Sequence, residues 1–231
     1  MTGLIAALDT ADTAVAARWA SAVAPHCGLL KLGLEYFLAH GPVGVRAVQE
    51  RPENHPVFLD LKLHDIPNTV AGAVRAVMPL QPRMLTLHAA GGGAMVEAAR
   101  RVADSHVLPA PLLLAVTVLT SLDSTALHAT GVAGGTRQQV LRLARLAMAA
   151  GADGLVCSAH EAAMLRDALG DGPVLVVPGI RPSGADAGDQ SRTMTPIEAK
   201  QAGATWIVVG RPITGAPDPS AAAAAIAAEL A

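Results

Sequence analysis

Eight short apolar runs recur along the chain, and a segment with helical features follows each of them. The runs cover residues 4–9, 29–36, 57–63, 84–90, 112–119, 154–159, 174–180 and 206–211. Two of the helical segments open with a capping box, Ser158 with Glu161 and Thr195 with Glu198. Because strand and helix alternate throughout, we expect parallel strands that are joined by crossover helices.

This alternation predicts an α/β fold. Eight repeats within 231 residues close more naturally into a (β/α)8 (TIM) barrel than into an open doubly wound sheet, which is the alternative. No linker or break in composition divides the chain, so residues 1–231 are expected to form a single domain. Apolar residues make up 52% of the chain but aromatic residues only 2%, which favours a core of aliphatic side chains.

Composition argues against several classes of partner. The formal net charge is −2 and no nucleic-acid-binding motif occurs, so we expect no nucleic acid partner. The alanine-rich stretch at 220–231 is too short to cross a bilayer, so we expect no membrane association. Cys27 and Cys157 form no Cys-x-x-Cys motif, which predicts reduced thiols and a cytoplasmic protein.

The third apolar run carries two charged residues, Asp60 and Lys62, which alternate with Leu59, Leu61 and Leu63. The two-residue period of a strand places both charges on the barrel side and the leucines on the other side. Two charges among apolar neighbours are costly to desolvate unless they pair. Taken alone, this pattern fits a structural ion pair as well as a catalytic one.

Charged residues also mark the two preceding runs, since Asp9 ends the first and Lys31 lies within the second. By itself Asp9 fits a helix N-cap, and Lys31 could extend to the barrel rim. Active sites of such barrels lie at the carboxyl ends of the strands. The joint occurrence of Asp9, Lys31, Asp60 and Lys62 there favours a catalytic site over a structural network.

The last two runs end in residues suited to phosphate. Arg181 follows the seventh run, and Gly210 and Arg211 follow the eighth. The loops after these strands commonly bind phosphate in (β/α)8 barrels, through backbone N–H groups at glycine and through the planar guanidinium of arginine. The alternative for each arginine is an ordinary surface position.

Two connections are long and rich in small residues, 121–136 after the fifth run and 181–193 after the seventh. Long loops in compact domains are often lids, so we expect these segments to cover a ligand. The second contains Gln190, a candidate hydrogen-bond donor to a phosphate or a base.

Signatures of other cofactors are lacking. Gly91-Gly-Gly93 does not have the spacing of a dinucleotide-binding loop, and no P-loop occurs. His88 ends the fourth run, but no second histidine lies on the second or sixth run to share a metal, so a core histidine is the better interpretation. We therefore expect neither a metal nor a cofactor.

Five segments form a further pattern over nearly the whole chain: Asp60-Leu-Lys-Leu-His-Asp65-Ile-Pro-Asn-Thr69, Thr117-Val-Leu-Thr-Ser121, Pro178-Gly-Ile-Arg181, Asp189-Gln-Ser-Arg-Thr-Met-Thr-Pro196 and Gly210-Arg-Pro-Ile-Thr214. In this order they resemble blocks of the bacterial-type orotidine 5′-monophosphate decarboxylase family. The first, which is similar to the family's Asp-x-Lys-x-x-Asp signature, is the most specific.

The resemblance implies that the chain converts orotidine 5′-monophosphate to uridine 5′-monophosphate as a homodimer, without metal or cofactor. It implies that Lys62 donates the proton and that Lys31, Asp60 and Asp65 complete a charged network. Asp65 and Thr69 would also serve the partner subunit's site. The other implied contacts are Asp9 and Lys31 to the ribose, Thr120 and Ser121 to the pyrimidine, and Arg181, Gln190, Gly210 and Arg211 to the phosphate.

Two other functions remain open. A magnesium-dependent sugar-phosphate decarboxylase or aldolase of the same barrel superfamily also resembles the Asp-x-Lys-x-x-Asp segment. Such a magnesium site would be expected to have a carboxylate on the second strand, where Lys31 would repel the metal. The other alternative is a non-catalytic barrel that only binds phosphate.

Overall fold

Eight parallel strands form the centre of the protein. The computed structural model describes residues 2–50, 52, 54–105, 109–182 and 194–231. The strands are β1 (Gly3–Ala7), β2 (Leu29–Gly33), β3 (Val57–Leu63), β4 (Met84–His88), β5 (Leu112–Val116), β6 (Gly154–Val156), β7 (Val174–Val177) and β8 (Trp206–Val209). They are hydrogen-bonded in sequence order, and β8 pairs with β1 to close the barrel. The predicted (β/α)8 barrel is confirmed, and the open sheet is wrong.

Helices follow the strands and surround the barrel. They are α1 (Thr13–Val23), α2 (Leu34–Gln49), α3 (Pro67–Val77), α4 (Gly93–Asp104), α5 (Ser124–Ala129), α6 (Thr136–Ala149), α7 (Ala159–Leu169), α8 (Pro196–Gln201), α9 (Arg211–Thr214) and α10 (Pro219–Leu230). The connection 121–136, predicted as a loop, contains α5. Residues 183–193 of the other predicted lid lie outside the described residues.

The predicted strands begin within one residue of the observed ones, but seven of them extend two or three residues too far at the carboxyl end. In the second run, Leu34 and Tyr36 continue the apolar pattern although they lie in the first turn of α2. Tyr36 is buried in the helix, where its hydroxyl donates to the carbonyl of Gly44 at 2.9 Å. An apolar run therefore does not reveal where a buried strand ends and a buried helix begins.

The apolar core has two layers. The inner layer fills the barrel with mostly aliphatic side chains: Ile5, Ala7, Leu29, Phe58, Met84, Leu114, Val176 and Val208. The outer layer packs the opposite faces of the strands against the helices. Gly3 and Gly28 lie against the indole of Trp206, and a Cβ atom at Gly28 would lie only 2.7 Å from that ring. The missing side chains of these glycines thus make room for Trp206 inside the barrel.

Both predicted capping boxes are confirmed. The carboxylate of Glu161 accepts a hydrogen bond from the backbone N–H of Ser158 at 2.9 Å, at the start of α7. Glu198 accepts from the backbone N–H of Thr195 at 2.8 Å, at the start of α8. These bonds satisfy N–H groups that have no partner inside the helix.

The two cysteines, Cys27 and Cys157, are buried and form no disulfide, as predicted. Burial is the main cause that raises the pKa of the Cys27 thiol to about 11, and burial likewise raises the pKa of Cys157. Both thiols are therefore unreactive at neutral pH.

Across the described ranges, no helix combines the length and apolar character needed to cross a membrane.

Candidate active site

Four charged side chains meet at the carboxyl ends of β1, β2 and β3, and we call Asp9, Lys31, Asp60 and Lys62 the charged cluster. The Nζ atom of Lys31 lies 3.0 Å from Oδ1 of Asp9 and 3.7 Å from Oδ2 of Asp60. The Nζ atom of Lys62 lies 2.8 Å from the same Oδ2 atom. Ion pairs thus run continuously across three neighbouring strands, with each charge next to one of opposite sign.

Burial differs along the charged cluster. The side chains of Lys31 and Asp60 are only 10% and 13% exposed, whereas that of Lys62 is 31% exposed. Burial opposes ionisation of the Asp60 carboxyl. Attraction from Lys31 and Lys62, with hydrogen bonds from Lys62 and Thr86, outweighs this and lowers the pKa of Asp60. Asp60 is therefore charged at neutral pH and holds two ammonium groups near one oxygen atom.

Asp9 belongs to the charged cluster and does not cap α1. The cap is Asp12, whose Oδ1 atom accepts a hydrogen bond from the backbone N–H of Val15 at 2.9 Å. This bond is the main cause that lowers the pKa of the exposed Asp12. Asp9, two residues after the end of β1, is left to bind Lys31.

Thr86 on β4 also contacts the charged cluster, and sequence reasoning missed it. Its hydroxyl donates to Oδ1 of Asp60 at 2.9 Å and accepts from the backbone N–H of Lys62 at 2.8 Å. Thr86 is completely buried and lies two residues after the inward-facing Met84. A polar residue at an inward position of an apolar strand was the available signal.

A cavity of about 360 Å³ adjoins the charged cluster on the side of β7 and β8. Its lining residues are Ala7, Asp9, Lys31, Asp60, Pro178, Gly179, Arg181, Val208, Gly210 and Arg211. The predicted phosphate residues Arg181, Gly210 and Arg211 are thus brought together at one end. A Cβ atom at Gly210 would lie 3.5 Å from Oδ2 of Asp9, so the absent side chain keeps the space next to Asp9 open.

A second, smaller cavity of about 170 Å³ has an apolar floor. Its lining residues are Lys31, Phe58, Asp60, Lys62, Thr120, Val156, Val176, Pro178 and Val208. It shares Lys31, Asp60, Pro178 and Val208 with the larger cavity, so the two spaces adjoin. The half-buried Thr120 faces this cavity, whereas Ser121 is exposed and is not among its lining residues.

Two predicted residues lie apart from the charged cluster within the chain. Asp65 is exposed, and its Oδ1 atom accepts a hydrogen bond from the backbone N–H of Ile66 at 2.6 Å. Within the described part of the chain, Lys62 therefore pairs with Asp60 on one side and is not held between two carboxylates, as the sequence had predicted with Asp65. Thr69, in the first turn of α3, is also exposed. Gln190 lies outside the described residues.

His88 ends β4 and is half-buried, with its ring centroid 5.3 Å from that of His64. Burial is the main cause that lowers the pKa of His88, and the nearby His64 and Lys62 lower it further. The neutral imidazole is therefore favoured beside Lys62. Among the residues that the structure describes, no three or more His, Cys, Asp or Glu side chains are grouped to hold a metal ion.

Comparison with known proteins agrees with this geometry. The family model described as "Orotidine 5'-phosphate decarboxylase / HUMPS family" matches residues 2–226. An orotidine 5′-phosphate decarboxylase from Anaeromyxobacter sp. (strain K) is 59% identical over 98% of this chain and 97% of that protein. One from Gluconobacter oxydans (strain 621H) is 56% identical over 100% of this chain and 98% of its own.

Solved structures agree as well. The crystal structure of orotidine 5′-phosphate decarboxylase from Lactobacillus acidophilus superposes with a TM-score of 0.88 at 36% identity, covering 100% of this chain and 99% of that one. The enzyme from Pyrococcus horikoshii OT3 superposes with a TM-score of 0.79 at 26% identity, covering 98% of each chain. By sequence and by structure, the chain belongs to the orotidine 5′-phosphate decarboxylase / HUMPS family.

Proposed function

We propose that this protein decarboxylates orotidine 5′-monophosphate to uridine 5′-monophosphate, the last step of de novo pyrimidine nucleotide synthesis. The full-length relatives that are 50–59% identical carry the name of this activity. The observation that carries the proposal is the position of the charged cluster. It lies between the larger cavity, which Arg181, Gly210 and Arg211 line, and the smaller cavity, which has an apolar floor. A nucleotide monophosphate has a phosphate, a polar sugar and a flat base in the same order.

We expect the two cavities to accommodate the parts of such a nucleotide. Arg181, Arg211 and Gly210 would bind the phosphate, because guanidinium groups and unhindered backbone N–H groups suit its oxygen atoms. Asp9 and Lys31, in the middle, would bind the ribose hydroxyls. The pyrimidine would then lie in the smaller cavity beside Lys62 and Thr120. Ser121 and Gln190 are proposed as further contacts to the base and the phosphate.

The chemical step needs a cation at the carbon that loses carbon dioxide. When the bond from C6 to the carboxylate breaks, the electron pair stays in an in-plane orbital that the ring does not delocalise. The ammonium of Lys62 would stabilise this carbanion and then transfer a proton to C6, forming uridine 5′-monophosphate and leaving a neutral amine that solvent reprotonates. Asp60, 2.8 Å from that ammonium, forms an ion pair with it and holds it in place before the reaction.

Asp65 and Thr69 would act in the site of a second subunit. The Asp65 carboxylate is exposed, and the neighbouring Ile66 is 65% exposed. Among the described residues, Lys62 forms an ion pair with Asp60 alone. A homodimer in which Asp65 reaches the partner's Lys62 would cover the isoleucine and supply the second carboxylate.

Lys31 argues against the magnesium-dependent alternative. Its ammonium lies 3.0 Å from Asp9 and 3.7 Å from Asp60, so a cation already neutralises the carboxylates that a magnesium ion would need.

We further infer a cytoplasmic location, which the two free buried thiols support. We also propose that residues 1–231 form one domain, since β1 pairs with β8 and the core is continuous around the barrel.

Turnover of orotidine 5′-monophosphate, followed by its absorbance change with and without a chelator, tests the activity. We expect product formation that survives chelation. Lys62→Ala should abolish turnover while equilibrium binding of uridine 5′-monophosphate stays measurable, because the amine acts on the transition state. Lys200→Ala is the matched control, since Lys200 donates to the carbonyls of Leu230 and Ala231 away from the site.

Three results would count against the proposal. A wild-type protein without turnover would remove the assigned activity. Loss of turnover on chelation would favour the magnesium-dependent alternative. Full turnover by Lys62→Ala would leave the activity in place but remove Lys62 as the proton donor.

A further inference from the structure

The strand that carries Asp60 and Lys62 is out of register with its neighbour. Leu59 pairs with Leu85 of β4, but the next paired residue of β3, Leu63, pairs with Leu87. Three residues of β3 therefore stand opposite the single residue Thr86 of β4. Such a bulge leaves backbone groups without their ladder partners and redirects side chains.

The backbone of Lys62 shows the effect of this bulge. Its φ of 49° lies in the left-handed region, which a residue with a side chain rarely adopts inside a strand. Residues are held in that region only where their surroundings fix them. Here the N–H of Lys62 donates to the hydroxyl of Thr86 at 2.8 Å, in place of a ladder carbonyl.

The same hydroxyl also orients the partner of Lys62. A threonine hydroxyl has one hydrogen atom, and because it accepts from the Lys62 N–H, that hydrogen is available for Oδ1 of Asp60 at 2.9 Å. Oδ2 of Asp60 is then left for the ammonium groups of Lys62 and Lys31. One buried side chain thus holds the backbone of the lysine and the carboxylate that the lysine binds.

We propose that Thr86 is a positioning residue, whose hydroxyl holds the Asp60 carboxylate and the left-handed backbone of Lys62 in the geometry that places the Lys62 ammonium at the reacting carbon. This inference rests on the proposed function for its catalytic consequence. Its structural consequence, the placement of Asp60 and Lys62, does not depend on the identity of the substrate.

Three variants test the role of the hydroxyl. Thr86→Val keeps the shape but removes both hydrogen bonds, and Thr86→Ser keeps the hydroxyl. Thr2→Val is the matched control, because the buried Thr2 hydroxyl donates to the carbonyl of Ala204 at 2.8 Å at the amino end of β1, whereas the charged cluster lies at the carboxyl ends of the strands. If Thr86→Val does not fold, Thr86→Ala removes the same bonds with a smaller side chain.

We expect Thr86→Val to lower kcat by about 10- to 100-fold, since small misplacements of a catalytic group have effects of that size, with KM close to wild type. The acid limb of its pH–kcat profile should move to higher pH, because Asp60 loses a hydrogen bond that favours its charged form. Thr86→Ser should restore most of kcat, and Thr2→Val should keep both kcat and the profile.

Two kinetic outcomes would overturn the inference while leaving the proposed function intact. One is a Thr86→Val enzyme with wild-type kcat and pH profile, and the other is a Thr86→Ser enzyme as slow as Thr86→Val. A crystal structure of Thr86→Val gives an answer even if the substrate is different. Unchanged positions of Asp60 and of the Lys62 backbone in that structure would also overturn it.

Discussion

At the scale of single residues, the charge of Asp60 is the most consequential feature of the site. Its carboxyl is nearly buried, and ionisation is favourable only because Lys31, Lys62 and Thr86 surround it. Removing one member of such a buried network leaves a buried charge without a partner of opposite sign. The resulting loss of stability is larger than the net contribution of the ion pair to the free energy of unfolding. The charged cluster is thus expected to act as one unit in both stability and catalysis.

The lowered pKa of Asp60 predicts a pH dependence of stability. A group whose pKa is depressed by folding stabilises the folded protein above its unfolded pKa, here near 3.8, and loses this contribution as the pH falls through the folded pKa. Urea unfolding of the wild type should therefore show a falling free energy of unfolding below about pH 4. Asp60→Asn should show a smaller slope in that range, because it cannot take up the proton.

Asp12→Asn is the matched control for this experiment. Asp12 also has a lowered pKa but is exposed, so replacing it should change the slope much less. Equal slopes for wild type and Asp60→Asn below pH 4 would contradict the assignment of a depressed pKa to Asp60.

At the scale of secondary-structure elements, Arg166 joins α7 to the start of two strands. Its Nε atom donates to the carbonyl of Gly203 at 2.9 Å, and its two terminal nitrogens donate to the carbonyl of Pro173 at 2.8 Å and to the hydroxyl of Thr205 at 2.9 Å. Pro173 immediately precedes β7, and Thr205 immediately precedes β8. One side chain therefore fixes the end of a helix to the entry of two neighbouring strands.

Arg166→Met should lower the free energy of unfolding by about 2–4 kcal/mol, because several acceptors lose a charged donor. Arg101→Met is the control, since the Arg101 side chain is 71% exposed and its nearest carboxylate, Glu97, is 3.9 Å away. That change should stay within about 0.5 kcal/mol of wild type. Chemical denaturation measures both, and a similar effect of the two substitutions would show that the Arg166 hydrogen bonds add no particular stability.

At the scale of the whole molecule, the proposed dimer predicts complementation between two inactive variants. Lys62→Ala and Asp65→Ala homodimers should each be inactive if the two residues meet across the interface. In a hybrid dimer, one site has both residues and the other has neither. An equimolar mixture after subunit exchange should regain about a quarter of wild-type activity, since half of the dimers are hybrids with one intact site.

The control is Lys62→Ala mixed with a chain that carries both Lys62→Ala and Asp65→Ala, which forms no intact site. Native mass spectrometry can verify that hybrids have formed. Hybrids that form without any recovery of turnover would contradict a site shared between subunits.

Much of the fold and part of the site could be predicted from the sequence. Alternation of apolar runs with capped helices depends on local properties, so the eight strands and the barrel were recognisable without coordinates. The two-residue period of a strand likewise predicts that Asp60 and Lys62 share a side. In the structure, Nζ of Lys62 lies 2.8 Å from Oδ2 of Asp60. Strand ends were less certain, because residues such as Leu34 and Tyr36 are apolar in a strand and in a helix alike.

Only the tertiary structure decided which side chains meet across elements. That Asp9 binds Lys31 depends on the position of Lys31 on the next strand. That Thr86 lies against both Asp60 and Lys62 depends on the bulge between β3 and β4. The sequence determined the order of the strands and helices and the side that residues face in regularly paired strands, because those follow from local periodicity. Register and contact between strands depend on the packing of the entire barrel, which no local pattern contains.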